Sequence, residues 1–196
     1  MRIVDNAALV VVDMQKGFLE PTSPVYVPNG ERIIPQVVAA IDLFRKKSLP
    51  VIWTQVNIEL FRNTQYQKMF PGHFDGEPHF LSKRSTTYDL VDELRAAREL
   101  RDPIIEKCRY SAFFCTELEL LLRTQLDVKN IFFAGVTTNV CVESSLRDAF
   151  QLGFNAFLLS DCTATFTPEY QRLSEALIAF VFGEVLTLEQ LKKEFR

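Results

Sequence analysis

Short apolar runs alternate with stretches of helical spacing along most of this chain. Ala7 to Val12 is apolar at every position, as in a strand covered on both faces of its sheet. Ile34, Val37, Val38, Ile41 and Phe44 then form one helical stripe, with Pro35 in or just before the first turn. Pro50 introduces a second strand, Val51 to Gln55. Tyr88 to Leu100 carries Leu90, Val91, Leu94 and Ala97 on one helical side, until Asp102-Pro103 breaks the pattern. Pro103 to Glu106 reads as a third strand. Thr116-x-x-Glu119 has the spacing of a capping box ahead of Leu118, Leu121 and Leu122. Ile131 to Ala134 is a fourth strand, and Val142, Leu146, Ala149 and Phe150 follow at helical spacing up to Gly153. Asn155 to Leu159 is a fifth. Thr167-Pro168 opens the helix of Leu173, Leu177 and Phe180, which Gly183 ends. Glu184 to Leu186 and the Thr187-x-x-Gln190 box predict a last strand and a short last helix.

This alternation of strand and helix predicts an α/β fold: a parallel sheet with helices on both faces and right-handed crossovers. Binding sites in such sheets lie beyond the carboxyl ends of the strands. Asp13, Lys107 and Cys141 stand at such ends on the first, third and fourth strands, and Asp161 follows the fifth. Residues 56–87, with Pro71, Gly72, Gly76 and Pro78, fit neither period. A loop of that length in a compact domain usually has a functional role.

With 196 residues the chain suits one domain, residues 1–196, large enough to bury a full core. Net charge is −3 and there is no basic block, which argues against nucleic acid or an anionic membrane as partner. The first apolar run is cut by Asp13 and is too short for a signal-peptide core or a spanning helix. The four cysteines contain no C-x-x-C pair, so neither a disulfide framework nor a zinc site is expected. A reducing, cytoplasmic setting follows by default.

Most chemistry is concentrated between Ile131 and Ser145. Gly135 ends the strand, and Thr137, Thr138 and Asn139 are turn and cap residues. Cys141 then falls in the first helical turn, where free N–H groups and the helix dipole lower a thiol's pKa and make it a nucleophile. Taken alone, Cys141 could equally be a small buried hydrophobe, while Asp13 reads more readily as a strand-end or turn residue and Lys107 as a surface lysine. Their convergence on one sheet edge favours a nucleophile triad. The carboxylate would take the thiol proton and return it to a leaving amine, and the ammonium would hold the carboxylate and stabilise the thiolate, or damp charge near the attacked carbonyl.

Three segments carry a resemblance: Val10-Val11-Val12-Asp13-Met14-Gln15 with Phe18; Glu106-Lys107 before Arg109-Tyr110-Ser111-Ala112-Phe113; and Gly135-Val136-Thr137-Thr138-Asn139-Val140-Cys141-Val142-Glu143-Ser144-Ser145 with Arg147-Asp148-Ala149. With them the chain resembles the isochorismatase-like cysteine hydrolases. The resemblance implies a three-layer α/β/α fold on a six-stranded parallel sheet, and assembly as a homo-oligomer, a dimer or tetramer. It also implies Cys141 as nucleophile, Asp13 as proton acceptor and donor, and Lys107 as the orienting cation, with no cofactor. A cis peptide between Val136 and Thr137 is implied too, turning the Thr137 N–H toward the Cys141 N–H as an oxyanion hole.

Family members differ in substrate. A cysteine at position 141 favours C–N hydrolysis of a small molecule over isochorismatase-type vinyl-ether cleavage, which needs only a proton donor. Nicotinamidases carry an Asp-x-His metal motif after the second strand. Here Gln55-Val56-Asn57 stands in its place, so that metal is not expected. The segments Arg109 to Phe114 and Thr138 to Ser144 look most like ureidoacrylate, biuret and related ureide amidohydrolases. Phe18, Asn57 and Tyr110 are candidate pocket residues; Arg109 could bind a substrate carboxylate or form a structural ion pair. His73-x-Asp75-x-Glu77-x-His79 alternates like a ligand set, but its glycines and proline read as a loop, either a lid or a contact with a neighbouring subunit. Asp161 reads as an anchor for the catalytic loop, and Cys108, Cys115 and Cys162 as inert. A catalytically idle binding module is the reading from a different class.

Overall fold

The computed structural model of the chain describes residues 3–62 and 64–195. The first half runs β1 (Ala7–Val12), α1 (Lys16–Leu19), α2 (Ile34–Lys46), β2 (Val51–Val56), α3 (Gln65–Met69), α4 (Asp92–Ala97) and β3 (Ile104–Lys107). The second half runs α5 (Leu118–Leu120), β4 (Asn130–Val136), α6 (Glu143–Gln151), β5 (Asn155–Ala164), α7 (Pro168–Val181), β6 (Glu184–Leu186) and α8 (Leu188–Glu194). A wider helical turn, Leu121–Gln125, continues α5, and another, Thr138–Val142, leads into α6.

The strands form one six-stranded sheet in the order β3-β2-β1-β4-β5-β6, every pair parallel. The reversal of order lies between β1 and β4. This is where an open parallel sheet leaves a crevice at its carboxyl edge. Alternate residues of β1 feed opposite layers. Leu9 and Val11 pack with Val37, Ile41 and Phe44 of α2 and with Leu188 and Leu191 of α8. Val10 and Val12 pack with Leu146 and Ala149 of α6 and Ile178 of α7. Burial on both sides explains why β1 is apolar throughout. Among the described residues no helix is long and apolar enough to cross a membrane.

Gly135 fixes the centre of the sheet. Its φ is +110°, and a Cβ there would lie 2.1 Å from the Val12 carbonyl oxygen. Only glycine lets β4 come this close to the end of β1, and that approach sets the loop after β4 beside Asp13.

Several sequence expectations are revised. The helix expected over Tyr88–Leu100 is only Asp92–Ala97, because the residues before it are used elsewhere. Leu90 forms an antiparallel bridge with Gln15, and the Val91 N–H donates to the Met14 carbonyl. The capping box at Thr116 does not form: its hydroxyl donates to the Ala112 carbonyl and accepts from the Leu118 N–H. The N-cap position of α5 is Glu117, with no side-chain cap. The fifth strand does not end at Leu159. Past a register shift between Phe133 and Gly135, it continues to pair Thr163 with Gly135 and Ala164 with Val136. Asp161 therefore lies within β5, and its carboxylate accepts from the Leu188 N–H at 2.8 Å. It anchors α8, not the catalytic loop. The caps expected at Thr167 and Thr187 are present.

Candidate active site

The ends of β1, β3 and β4 bring Asp13, Lys107 and Cys141 together. Asp13 and Lys107 are wholly buried, and Cys141 is nearly so. Lys107 Nζ lies 2.8 Å from Asp13 Oδ2 and donates to Cys141 Sγ at 3.3 Å. It also donates to the carbonyls of Arg109 at 3.0 Å and Tyr110 at 3.1 Å. Four acceptors thus surround one ammonium, which is how a buried lysine keeps its charge. Burial alone would lower the Lys107 pKa; the Asp13 carboxylate and the sulfur more than offset this and hold it above its ordinary value.

Three neighbouring residues fix the geometry. Thr54, on β2, donates its hydroxyl to Asp13 Oδ1 at 2.6 Å and accepts from the Asp13 N–H at 3.2 Å. Gln15 donates to the carbonyls of Val56 and Tyr88 and accepts from the Val56 N–H at 2.8 Å, locking the loop after β1 onto β2. Ser145 donates to the Cys141 carbonyl at 2.7 Å and accepts from the Ala112 N–H at 2.9 Å, joining the helix that carries the sulfur to the segment after Lys107. The position of Thr54, one residue before Gln55, carried no sequence signal. Gln15 and Ser145 lay inside the motifs without an assigned role.

The thiol differs from the sequence expectation. Burial pushes the Cys141 pKa up to about 12, and the Asp13 carboxylate adds to this, while Lys107 pulls it down. Desolvation is the largest of these influences. Cys141 rests as a thiol beside an Asp13–Lys107 ion pair. Thr138 and Asn139 do not act as caps either. The Thr138 hydroxyl donates to Gln171 of α7 at 2.7 Å, and Asn139 accepts from the Thr165 hydroxyl. The Val136–Thr137 peptide is cis.

Cys141 opens onto a cavity of about 300 Å³, which Thr137 and Val140 also line. Of the candidate pocket residues, Phe18 and Tyr110 line it. Asn57 and Arg109 do not. The Asn57 side chain accepts from the Glu59 N–H at 3.1 Å and is hydrogen-bonded to Glu106. The Arg109 guanidinium lies 6.0 Å from the Phe61 ring centre and 5.7 Å from that of Phe114, and donates to the Cys108 carbonyl. The irregular segment after β2 supplies most of the remaining wall: Phe61, Tyr66, Phe70, His73 and Leu81. Val25, Val56 and Phe166, the last beyond β5, line it as well. Aromatic residues at 61, 66, 70, 74 and 80, in an otherwise polar stretch, were the available signal for this wall.

His73 and His79 part company. His73 Nδ1 is 2.8 Å from the Tyr66 hydroxyl, in the cavity wall. His79 Nε2 is 2.6 Å from the Arg62 guanidinium and 3.3 Å from Glu77. The segment between them is not extended: Pro71–Phe74 is a helical turn and Glu77–Pro78 is cis. Among the described residues no group of three or more His, Cys, Asp or Glu side chains is arranged to hold a metal ion.

Residues 7–190 match the isochorismatase domain, and the chain belongs to that family. A protein of Arabidopsis thaliana described as a probable inactive nicotinamidase is 34% identical over 172 residues, spanning 84% of this chain and 83% of that protein. The ureidoacrylate amidohydrolase RutB of Azorhizobium caulinodans is 29% identical over 210 residues, spanning 98% of this chain and 91% of that one. The crystal structure of a cysteine hydrolase from Pseudomonas syringae pv. phaseolicola is similar with a TM-score of 0.87 at 28% identity, covering 100% of this chain and 94% of that one.

Proposed function

We propose that this chain is a cysteine-dependent hydrolase that cleaves the C–N bond of a small linear amide or ureide through a thioester. The observation that carries the reading is one ammonium, Lys107, within 2.8 Å of a carboxylate and 3.3 Å of a thiol at the floor of a cavity. Such a set has few structural uses, because replacing a buried ion pair by apolar side chains is often neutral or stabilising. The amidohydrolase and cysteine hydrolase relatives support the same reading.

The cycle conserves protons. Cys141 Sγ attacks the substrate carbonyl carbon as its proton passes to the Asp13 carboxylate. The N–H groups of Thr137 and Cys141 receive the oxyanion. Such donors are typically worth about 10²–10³-fold each in rate. The C–N bond then breaks, and Asp13 returns the proton to the departing nitrogen. Water attacks the thioester, its proton passes to Asp13, and the acid leaves as the sulfur regains a proton. Lys107 stays charged throughout and fixes both partners.

Acid quenching during turnover, followed by mass spectrometry of the Cys141 peptide, tests this. An acyl adduct on Cys141 that hydroxylamine removes is expected, and Cys141→Ala should abolish hydrolysis. Turnover that survives Cys141→Ala but not Asp13→Ala would overturn the nucleophile and leave proton-donor chemistry of the vinyl-ether kind.

A further inference from the structure

The cavity walls restrict what can sit beside Cys141. Among the described residues six aromatic ones line it: Phe18, Phe61, Tyr66, Phe70, Tyr110 and Phe166. The remaining lining is aliphatic, apart from Thr137, His73 and Cys141 itself. Among the described residues, no acidic or permanently charged side chain lines the cavity.

The cations nearby are committed elsewhere. Lys107 is occupied by Asp13, the sulfur and two carbonyls. Arg109 is not among the lining residues; its guanidinium lies over the Phe61 and Phe114 rings and donates to the Cys108 carbonyl. His73 is held neutral, since burial lowers its pKa. Burial also raises the Tyr66 pKa, so its hydroxyl keeps its proton; it is hydrogen-bonded to His73 Nδ1 at 2.8 Å. A carboxylate brought into this space would lose its hydration and gain no counter-charge, a loss of several kcal/mol for an unpaired ion. A flat, uncharged group would instead stack on aromatic faces.

We infer that the site takes an uncharged amide or ureide whose acyl group is flat and largely apolar, and that it rejects substrates carrying a carboxylate. Ureidoacrylate carries one, so this turns away from the ureidoacrylate expectation. The inference rests on Cys141 being the nucleophile, and the test separates the two.

Two phenacyl chlorides of equal shape, with the ring on the carbonyl carbon as in a flat acyl group, serve as probes, one with a para-carbamoyl group and one with a para-carboxylate. Their alkylation rates at the Cys141 peptide are measured by mass spectrometry and divided by their rates with glutathione. Two tenfold steps, roughly 2.8 kcal/mol of unfavourable burial, are expected to separate them, so the carbamoyl probe should react at least about 100-fold faster. Arg109→Ala should leave that ratio unchanged. Equal rates, or a faster carboxylate probe, would overturn the inference. A carboxylate preference lost in Arg109→Ala would place the guanidinium in the site and overturn it too. If parent chloroacetamide reacts and neither aryl probe does, the flat-acyl assignment fails while the nucleophile stands. If none of the three labels Cys141, the nucleophile itself is wrong.

Discussion

Asp13→Asn separates the two jobs proposed for the carboxylate. Asparagine keeps the shape and can still accept the Thr54 hydroxyl, but it removes both the base and one negative charge. In the native site the carboxylate raises the Cys141 pKa while Lys107 lowers it, and desolvation exceeds either. At 3.3 Å and an effective dielectric of about 20, the Lys107–sulfur attraction is about 5 kcal/mol, or about four pKa units. With the carboxylate gone, that attraction is unopposed. The thiolate becomes the counter-ion of Lys107. We expect the thiol midpoint to fall by about two units or more from about 12, towards the ordinary value of 9.0. Ultraviolet titration of the thiolate, read as the difference from an Asp13→Asn/Cys141→Ser double variant, isolates this sulfur from the other cysteines. Hydrolysis should move the opposite way, falling by about 10²–10⁴-fold, because no group remains to protonate the leaving nitrogen. A more ionised sulfur with less turnover is the signature of a carboxylate that moves protons. A midpoint that stays or rises, or hydrolysis retained within about tenfold, would refute the assignment.

Three other outcomes are expected. The folded state holds the Cys141 proton to about pH 12, whereas an unfolded thiol loses it near 9.0. The unfolded chain therefore binds fewer protons between those values, and stability falls as pH rises through the window. Urea unfolding at about pH 8 and about pH 10 should show a smaller loss in Cys141→Ser than in the native chain, and equal losses would contradict the buried thiol. Thr54→Val keeps volume but removes the 2.6 Å donor to Asp13, which should lower unfolding free energy by about 1.5–3 kcal/mol, with Thr54→Ser close to native. Gly135→Ala meets both a φ of +110° and a 2.1 Å approach to the Val12 oxygen. Circular dichroism should show loss of the folded state, or at least about 3 kcal/mol of destabilisation.

What could be read from the sequence was whatever a local pattern decides. β1 and β4 were legible because burial on both faces demands unbroken apolar runs. The caps at Thr167 and Thr187 were legible because the donor and acceptor lie within four residues. The failures share a cause: a partner distant in sequence claimed the group first. Leu90 and Val91 have helical spacing but pair with Gln15 and Met14, more than seventy residues earlier. The extension of β5 through Asp161 depends on edge groups of Gly135 and Val136 that no local window contains. Asn57 and Arg109 were reasonable pocket candidates by position, yet each turns to a local backbone or aromatic partner.

The thiol pKa is the failure with the largest consequence. A helix N-terminus contributes fractions of a kcal/mol to about two, whereas full burial of an ionisable group can shift it by several pKa units. Position in the sequence reveals the first effect and hides the second. Once both are known, the resting site reads differently: a carboxylate, an ammonium and a neutral thiol sum to zero charge under an apolar roof. Such a site has little to offer an ion. New charge, on the proposed mechanism, arises only when sulfur meets a carbonyl, at the carbon's oxygen, with Asp13 discharged by the incoming proton. On the proposed mechanism the neutrality of the resting site and the neutrality of its substrate are one requirement, because an added anion would oppose the oxyanion that the backbone N–H groups must receive.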